Sequence, residues 1–241
     1  SASTLNLVRA FTQGGFAEYV AANKVLVFSV PENFSLEQAV CLPEAAFTVW
    51  ISLVWQAKLQ PNETILIHGG TSGVGNIAIQ MAKFLGAKII TTAGSNEKCV
   101  ACLKIGADNV INYKSEDFVK KAPKIDVILD MVGGDYFEKN LSILNQNGRL
   151  CIIAFLQGAK INANIAPILL KHLSIFGSTL RSRSIAEKAK IADELFPFLN
   201  NMIENHAVNP LIDKIFPLRE AEKGLHQMEE GLNIGKILIK M

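Results

Sequence analysis

Thr64-Ile65-Leu66-Ile67-His68-Gly69-Gly70-Thr71-Ser72-Gly73-Val74-Gly75 is the stretch on which the fold turns. A short apolar run ends in a glycine-rich loop. A helical pattern (Ile77, Met81, Phe84, Leu85) follows at once and is stopped by Gly86. Strand, tight loop and helix in that order make the phosphate-cradling corner of a dinucleotide-binding fold. Glycines permit positive φ and let backbone approach a diphosphate with no Cβ in the way. The first helical turn offers unpaired N–H groups and the positive end of a dipole. The spacing Gly70-x-x-Gly73-x-Gly75 departs from G-x-G-x-x-G but keeps these properties, and Ser72 adds a hydroxyl for a phosphate oxygen. No Gly-Lys-Ser/Thr follows, which excludes a P-loop.

On either side of this loop the chain alternates apolar runs with amphipathic stretches. Strands are expected at Thr64–His68, Lys88–Ala93, Asn109–Asn112, Ile125–Met131, Arg149–Phe155 and Leu173–Leu180. Between them, Ser95 caps a helix ending at Gly106, and Ser115 and Asp135 cap two more, the second with a Phe137, Leu141, Leu144 stripe. Repeated strand–helix–strand units predict an α/β fold, a doubly wound parallel six-stranded sheet in the 3-2-1-4-5-6 order. Ser35 with Gln38 forms a capping box, and Pro43 starts a second helix that carries the run to Gln56. A long helix is expected over residues 184–206. Phe16–Val20, Val25–Val30, Leu211–Phe216 and Lys236–Lys240 read as strands that suit neither edge of the parallel sheet. Residues 35–208 are therefore assigned to the dinucleotide-binding domain, with 1–34 and 209–241 as parts of a second, β-rich domain.

The end of the second strand bears on the choice of nicotinamide cofactor. An NAD enzyme usually places Asp or Glu there for the ribose diol. Here the chain reads Thr91-Thr92-Ala93-Gly94-Ser95 with no carboxylate. A carboxylate about 4 Å from a 2′-phosphate would cost on the order of 4 kcal/mol per charge pair at an effective dielectric near 20, so its absence removes a veto. Ser95 and Lys98 lie one helical turn apart and can both face that phosphate. NADPH is the expected cofactor, although Glu97 next door could serve NAD in a different local geometry.

The loop Ile67–Gly75 resembles the cofactor loop of zinc-independent quinone oxidoreductases of the medium-chain dehydrogenase/reductase superfamily. So do Gly14–Val20, Leu42-Pro43-Glu44-Ala45-Ala46-Phe47-Thr48-Val49-Trp50, Ile111-Asn112-Tyr113 and Ile234-Gly235-Lys236-Ile237, in family order. The resemblance implies a Rossmann domain and the last part of a GroES-like domain, the earlier part lying outside this chain; Ser1–Arg9 matches no family segment. It implies that Thr48 lies near the nicotinamide and that Gly70, Ser72, Gly73, Val74 and Gly75 form the diphosphate loop. Gly94, Ser95, Lys98 and Tyr113 would surround the adenosine 2′-phosphate. Phe155 and Leu156 would approach the nicotinamide, and Ser178 and Leu180 its carboxamide. The family's reaction is hydride transfer from NADPH to a quinone or another activated alkene, by homodimers paired through the sixth strand. An enoyl-thioester or 2-alkenal reductase is a close rival, and a non-catalytic NADPH-binding module is a rival of another kind.

Other constellations point away from chemistry. Zinc-dependent relatives carry a cysteine near where Glu44 stands. Cys99-x-x-Cys102 lies in a predicted helix with no second ligand pair, and Cys41 and Cys151 are single apolar-context residues, so no metal site is expected. His68, His172, His206 and His226 form no ligand motif, and His68 reads as a packed strand-end residue. Of Asp126 and Asp130, one is expected solvated and one capping; Arg181 and Arg183 are equally a solvated pair or an anion contact. With 241 residues, 49% hydrophobic and a net charge of +2, the chain buries a large core and shows no basic footprint for nucleic acid. Its mean hydropathy is +0.25. No uninterrupted apolar run approaches the ~20 residues of a membrane span, and Ser1–Thr12 lacks a secretory pattern; a cytosolic protein is the expectation.

Overall fold

The computed structural model describes residues 8–12 and 14–241, so residues 1–7 of the unmatched Ser1–Arg9 segment lie outside the described residues. In chain order the strands are β1 (Val8–Ala10), β2 (Val27–Ser29), β3 (Thr64–Ile67), β4 (Lys88–Ala93), β5 (Asn109–Asn112), β6 (Ile125–Asp130), β7 (Leu144–Ile152), β8 (Ser174–Gly177), β9 (Ile212–Pro217) and β10 (Lys236–Lys240). The helices are α1 (Leu36–Val40), α2 (Leu42–Val49), α3 (Gly75–Phe84), α4 (Asn96–Lys104), α5 (Phe118–Lys121), α6 (Tyr136–Ile143), α7 (Ala166–Leu170), α8 (Ile185–Glu204) and α9 (Ala221–Glu229).

The six central strands are parallel, in the order β5-β4-β3-β6-β7-β8, which is the 3-2-1-4-5-6 order expected. Side chains along β3 alternate between two cores. Ile65 and Ile67 face a cluster with Phe47, Ile77, Met81, Leu195 and Leu199 of the flanking helices. Leu66 faces the opposite cluster with Phe118, Ile128, Leu141 and Leu150. Each fully buried Ile or Leu contributes about 1.5–3 kcal/mol relative to exposure, so both faces of the sheet are strongly specified.

The helix starts follow the local chemistry. Ser35 and Gln38 cap α1 reciprocally, and Ser184 with Glu187 does the same for α8. Ser95 Oγ accepts from Lys98 N at 3.2 Å and caps α4. Two caps differ from expectation. Asp117 rather than Ser115 caps α5, because Asn112 already turns the chain there through bonds from Ser115 N and Glu116 N. Asp135 stands at the α6 N-cap with αR backbone, and its side chain makes no capping bond. Leu144, expected on the α6 stripe, is instead the first residue of β7.

Strand boundaries also differ, at β2, β7 and β8; of the expected Val25–Val30 only Val27–Ser29 is a strand, because Asn23 starts a 3-10 turn over Lys24–Leu26. β7 begins at Leu144, paired with Ile125 across a register shift, and ends at Ile152 rather than Phe155. Past Ile153 the chain leaves the ladder and folds over Gly133 and Gly134, with Leu156 N donating to Met131 O and Gln157 N to Val132 O. β8 covers only Ser174–Gly177 of the expected Leu173–Leu180.

Outside the sheet, β1 and β2 pair antiparallel and β9 and β10 pair parallel across α9. None of these joins the central sheet. Phe16–Val20 is not a strand: Phe16, Tyr19 and Val20 are exposed, and among the described residues no ladder partner lies beside them. α3 anchors the C-terminal unit through two polar residues buried on its outer side. Asn76 Oδ1 accepts from Leu211 N at 3.1 Å, and Gln80 Oε1 accepts from Asn209 N at 2.6 Å. The helical run Leu36–Gln56 is long and apolar enough to cross a membrane by length and composition; 67% of its apolar window is buried within this fold.

Candidate functional site

The glycine loop leaves the C-terminal end of β3, where the strand order reverses between β4 and β6. This is the switch point at which open α/β sheets form a crevice. Gly69 has φ 68°, a left-handed conformation that favours glycine. Gly70 is buried, and a Cβ on it would collide with Thr91 Oγ1 and with Cys102 Sγ. At Gly75 a Cβ would strike the Gly69 carbonyl and approach Ser72 Oγ at 2.9 Å. Steric closeness thus explains the glycines at 70 and 75, while Gly73 turns its open side to the cleft. Ser72 Oγ accepts from Gly75 N at 2.9 Å and donates to Met131 Sδ at 3.3 Å, so the hydroxyl is an internal brace of the loop.

Beneath the loop runs a hydrogen-bond chain that the sequence did not reveal. Asn140 Nδ2 donates to Asp130 Oδ2 at 3.1 Å, which turns Asn140 Oδ1 towards His68 Nε2 at 2.8 Å. An amide oxygen only accepts, so Nε2 carries the proton and Nδ1 accepts from Thr92 Oγ1 at 3.2 Å. Thr92 Oγ1 in turn accepts from Gly69 N at 3.2 Å. Asp130 Oδ1 takes Val132 N at 2.7 Å and Gly133 N at 3.3 Å. The two loops that flank the cleft are therefore tied to one neutral histidine. Burial lowers the His68 pKa, partly opposed by Asp130 and by the Asn140 bond. His68 is packed edge-on against Phe118 and Tyr136, as a strand-end histidine should be.

A cleft of about 1090 Å³ opens over the loop. It gathers Thr48, Ser72, Gly73, Val74, Leu156, Ser178 and Leu180 of the expected residues. Thr48 Oγ1 donates to the Glu44 carbonyl at 3.0 Å. Ser178 is held by its N–H donating to Ile152 O at 3.1 Å. Phe155 lies outside this cleft, in a neighbouring depression with Gly177 and Arg183, because the turn after β7 carries it away. The same cleft contains residues to which the sequence assigned no role in the cleft: Glu44 and Lys236, both within family-like segments, and Met131 and Met228. Their signal in the sequence was faint, since Met228 and Lys236 lie far downstream in the C-terminal unit.

Gly94, Ser95, Lys98 and Tyr113 lie together at the C-terminal ends of β4 and β5. A Cβ on Gly94 would meet Tyr113 Oη at 2.6 Å, so the ring packs directly over the glycine. The Ser95 hydroxyl is used as the α4 cap, and Lys98 Nζ donates to the Gly231 carbonyl at 2.5 Å. Both arrangements differ from side chains aimed freely at a phosphate. Burial lowers the Lys98 pKa, and the neighbouring Lys114 lowers it further. Lys114, next to Tyr113 in sequence, is a second cation at this end.

The remaining candidates are structural. Arg183 pairs with Glu187 at 3.3 Å, while Arg181 reaches the cleft. Neither aspartate is simply solvated: Asp126 Oδ2 accepts from Thr64 N at 2.8 Å and Oδ1 from Asn145 Nδ2 at 2.6 Å. Among the described residues no three His, Cys, Asp or Glu side chains group to hold a metal ion. The four cysteines are free.

Known proteins bear on this cleft. A family model described as zinc-binding dehydrogenase matches residues 73–196. Human quinone oxidoreductase is 29% identical over 94% of this chain and 69% of its own length. A solved NAD-dependent alcohol dehydrogenase is 30% identical with a TM-score of 0.82, covering 95% of this chain and 65% of that one. The Escherichia coli quinone oxidoreductase, solved as a complex with NADPH, is 28% identical with a TM-score of 0.79, over 90% of this chain and 69% of that one. The chain thus spans about two thirds of the length of these relatives.

Proposed function

The chain belongs to the zinc-binding dehydrogenase family, on the quinone-oxidoreductase branch of the medium-chain dehydrogenase/reductases, and on that premise we propose that it binds NADPH and reduces a quinone or similarly activated alkene. One observation carries the cofactor reading. The glycine loop opens α3 at the switch point, while the β4 end offers Lys98, Lys114 and Tyr113 with no carboxylate in the strand itself. The NADPH complex of the E. coli relative supports the same reading. Residues 35–208 are assigned to the cofactor domain, and the described residues before 35 together with 209–241 to the second domain.

Bound there, the cofactor would supply the hydride. The chain's own part is to hold and orient it. Backbone N–H groups of Gly73 and Val74 face the diphosphate, with Gly75 bracing the turn through its N–H bond to Ser72 Oγ, and Ser95, Lys98 and Tyr113 flank the 2′-phosphate once Lys98 leaves the Gly231 carbonyl. Thr48, Leu156, Ser178 and Leu180 line the nicotinamide end, with Phe155 able to join them if the turn after β7 closes. The reaction is read as zinc-independent, because Glu44 stands near the place where the resemblance puts the cysteine of zinc-dependent relatives. The outer edge of β8 is the proposed homodimer contact, and Ile165, Leu169 and Leu170, just before it in sequence, are exposed.

The test is NADPH oxidation by the chain with a para-quinone and, separately, a crotonyl thioester. Turnover with the quinone supports the reading. Turnover with the thioester alone would make it an alkene reductase. Tight NADPH binding with neither reaction would identify a non-catalytic module.

A further inference from the structure

We propose that Lys236 is the cation that meets the cofactor's diphosphate over the glycine loop, and that Glu44 competes with the diphosphate for it; this rests on the cofactor reading above. Lys236 begins β10, far from the loop in sequence, yet its backbone is fixed against that loop. Gly235 N donates to Thr71 O at 2.7 Å and Lys236 N donates to Leu211 O at 2.8 Å. Leu211 N is itself bound by Asn76 of α3. Gly235 has φ 98°, and a Cβ there would run into the Leu211 carbonyl, so glycine is required for this approach. A register shift between Lys236 and Ile237 lies at the same point.

The side chain then crosses the open side of Gly73. A Cβ on Gly73 would meet Lys236 Cδ and Cε at 2.8 Å and Nζ at 3.0 Å. The ammonium reaches Glu44 Oε2 at 3.1 Å, and Glu44 Oε1 stands 3.4 Å from Thr48 Oγ1. A half-exposed ion pair of this kind contributes little to stability, so tying α2 to β10 is a weak reason for such an arrangement. A lysine laid along the one face of a phosphate loop that carries no Cβ is suited to a diphosphate. The diphosphate brings two negative charges against Glu44's one, so it draws the ammonium across Gly73.

Calorimetric titration with ADP-ribose, which carries the diphosphate but neither nicotinamide nor 2′-phosphate, reads this directly. Adenosine 2′-monophosphate, which has no diphosphate, is the control probe. Lys236→Met should weaken ADP-ribose binding by about tenfold or more, the loss of one charged hydrogen bond. It should also flatten the salt dependence and leave the control probe unchanged. Lys236→Arg should retain most of the affinity, and Glu44→Gln should tighten ADP-ribose binding. Unchanged ADP-ribose affinity in Lys236→Met, equal weakening of both probes, or weaker binding in Glu44→Gln would overturn the proposal. If the unaltered chain binds NADPH but Lys236→Met binds ADP-ribose equally well, only the Lys236 assignment falls. If the unaltered chain binds neither, the cofactor reading falls with it.

Discussion

Gly75→Ala isolates what the loop demands of its backbone. Gly75 opens α3 at a helical φ, where alanine is ordinarily favoured over glycine by about 0.5–1 kcal/mol. Here the new methyl would run into the Gly69 carbonyl, which already accepts from Ser72 N at 2.9 Å, and would approach Gly69 C at 3.0 Å. The obstacle is backbone in a braced turn, not the far end of a flexible side chain. Overpacking of this kind costs about 1–3 kcal/mol. Set against the helix gain, the net loss is about 0–2.5 kcal/mol, and the rigidity of the Gly69–Ser72 turn puts the expectation in the upper half, about 1–2.5 kcal/mol. In a chain of this size each kcal/mol moves Tm by roughly 2–4 °C, so scanning calorimetry should record a fall of about 2–10 °C. NADPH affinity should fall as well, because the Gly69 carbonyl and the Ser72 hydroxyl brace the turn that presents Gly73 N and Val74 N to the diphosphate. Gly15→Ala, where a Cβ meets nothing within 4 Å, is the control and should leave both readings alone. An unchanged or raised Tm in Gly75→Ala with intact NADPH binding would refute the steric argument.

Two further outcomes follow from the buried groups. His68 is the one buried histidine of the four, and its pKa is lowered in the folded state. Its contribution is therefore complete above the unfolded value near 6.5 and is lost as pH falls below it. The urea midpoint should drop between about pH 7.5 and 5.5, and His68→Gln should remove most of that slope; an equal slope in the variant would contradict the buried-histidine account. Burial pushes the thiols of Cys41 up to about 11 and of Cys102 and Cys151 up to about 12, while Cys99 is half-buried and raised less. Mass-resolved labelling with a thiol reagent at mildly alkaline pH should therefore modify Cys99 first. Faster labelling of Cys151 would mean that the β7 face of the core opens readily.

The parallel sheet was legible because its strands are buried on both faces and so read as near-continuous apolar runs. Lys88–Ala93 and Asn109–Asn112 of that sheet have the limits expected, and so does Lys236–Lys240 outside it. The limits of β7 and β8 were not legible. Where β7 stops depends on the turn over Gly133 and Gly134, a contact between segments distant in sequence. Phe16–Val20 is rich in strand-forming residues, but a strand also needs a neighbour, and local pattern cannot supply one. The glycine loop could be read because its constraint is local, a strand and a helix joined through Cβ-free backbone. Glu44 and Lys236 each lie in a family-like segment, but they are nearly two hundred residues apart and nothing local shows that they meet. The use of Asn76 and Gln80 as anchors for residues 209–211 was hidden for the same reason. At Lys98, helical spacing could place the residue at the β4 end but could not show that its long side chain meets the Gly231 carbonyl, far downstream in sequence.

The proposed NADPH site runs from the glycine loop to the Lys98 end of the sheet. The direct measurement is a side-by-side calorimetric titration of the chain with NADPH and NADH, repeated with Lys98→Ala. Tighter binding of NADPH, with the preference lost in the variant and NADH binding unchanged, is the predicted result. Equal affinity for the two cofactors in the unaltered chain, or a preference that survives Lys98→Ala, would contradict it.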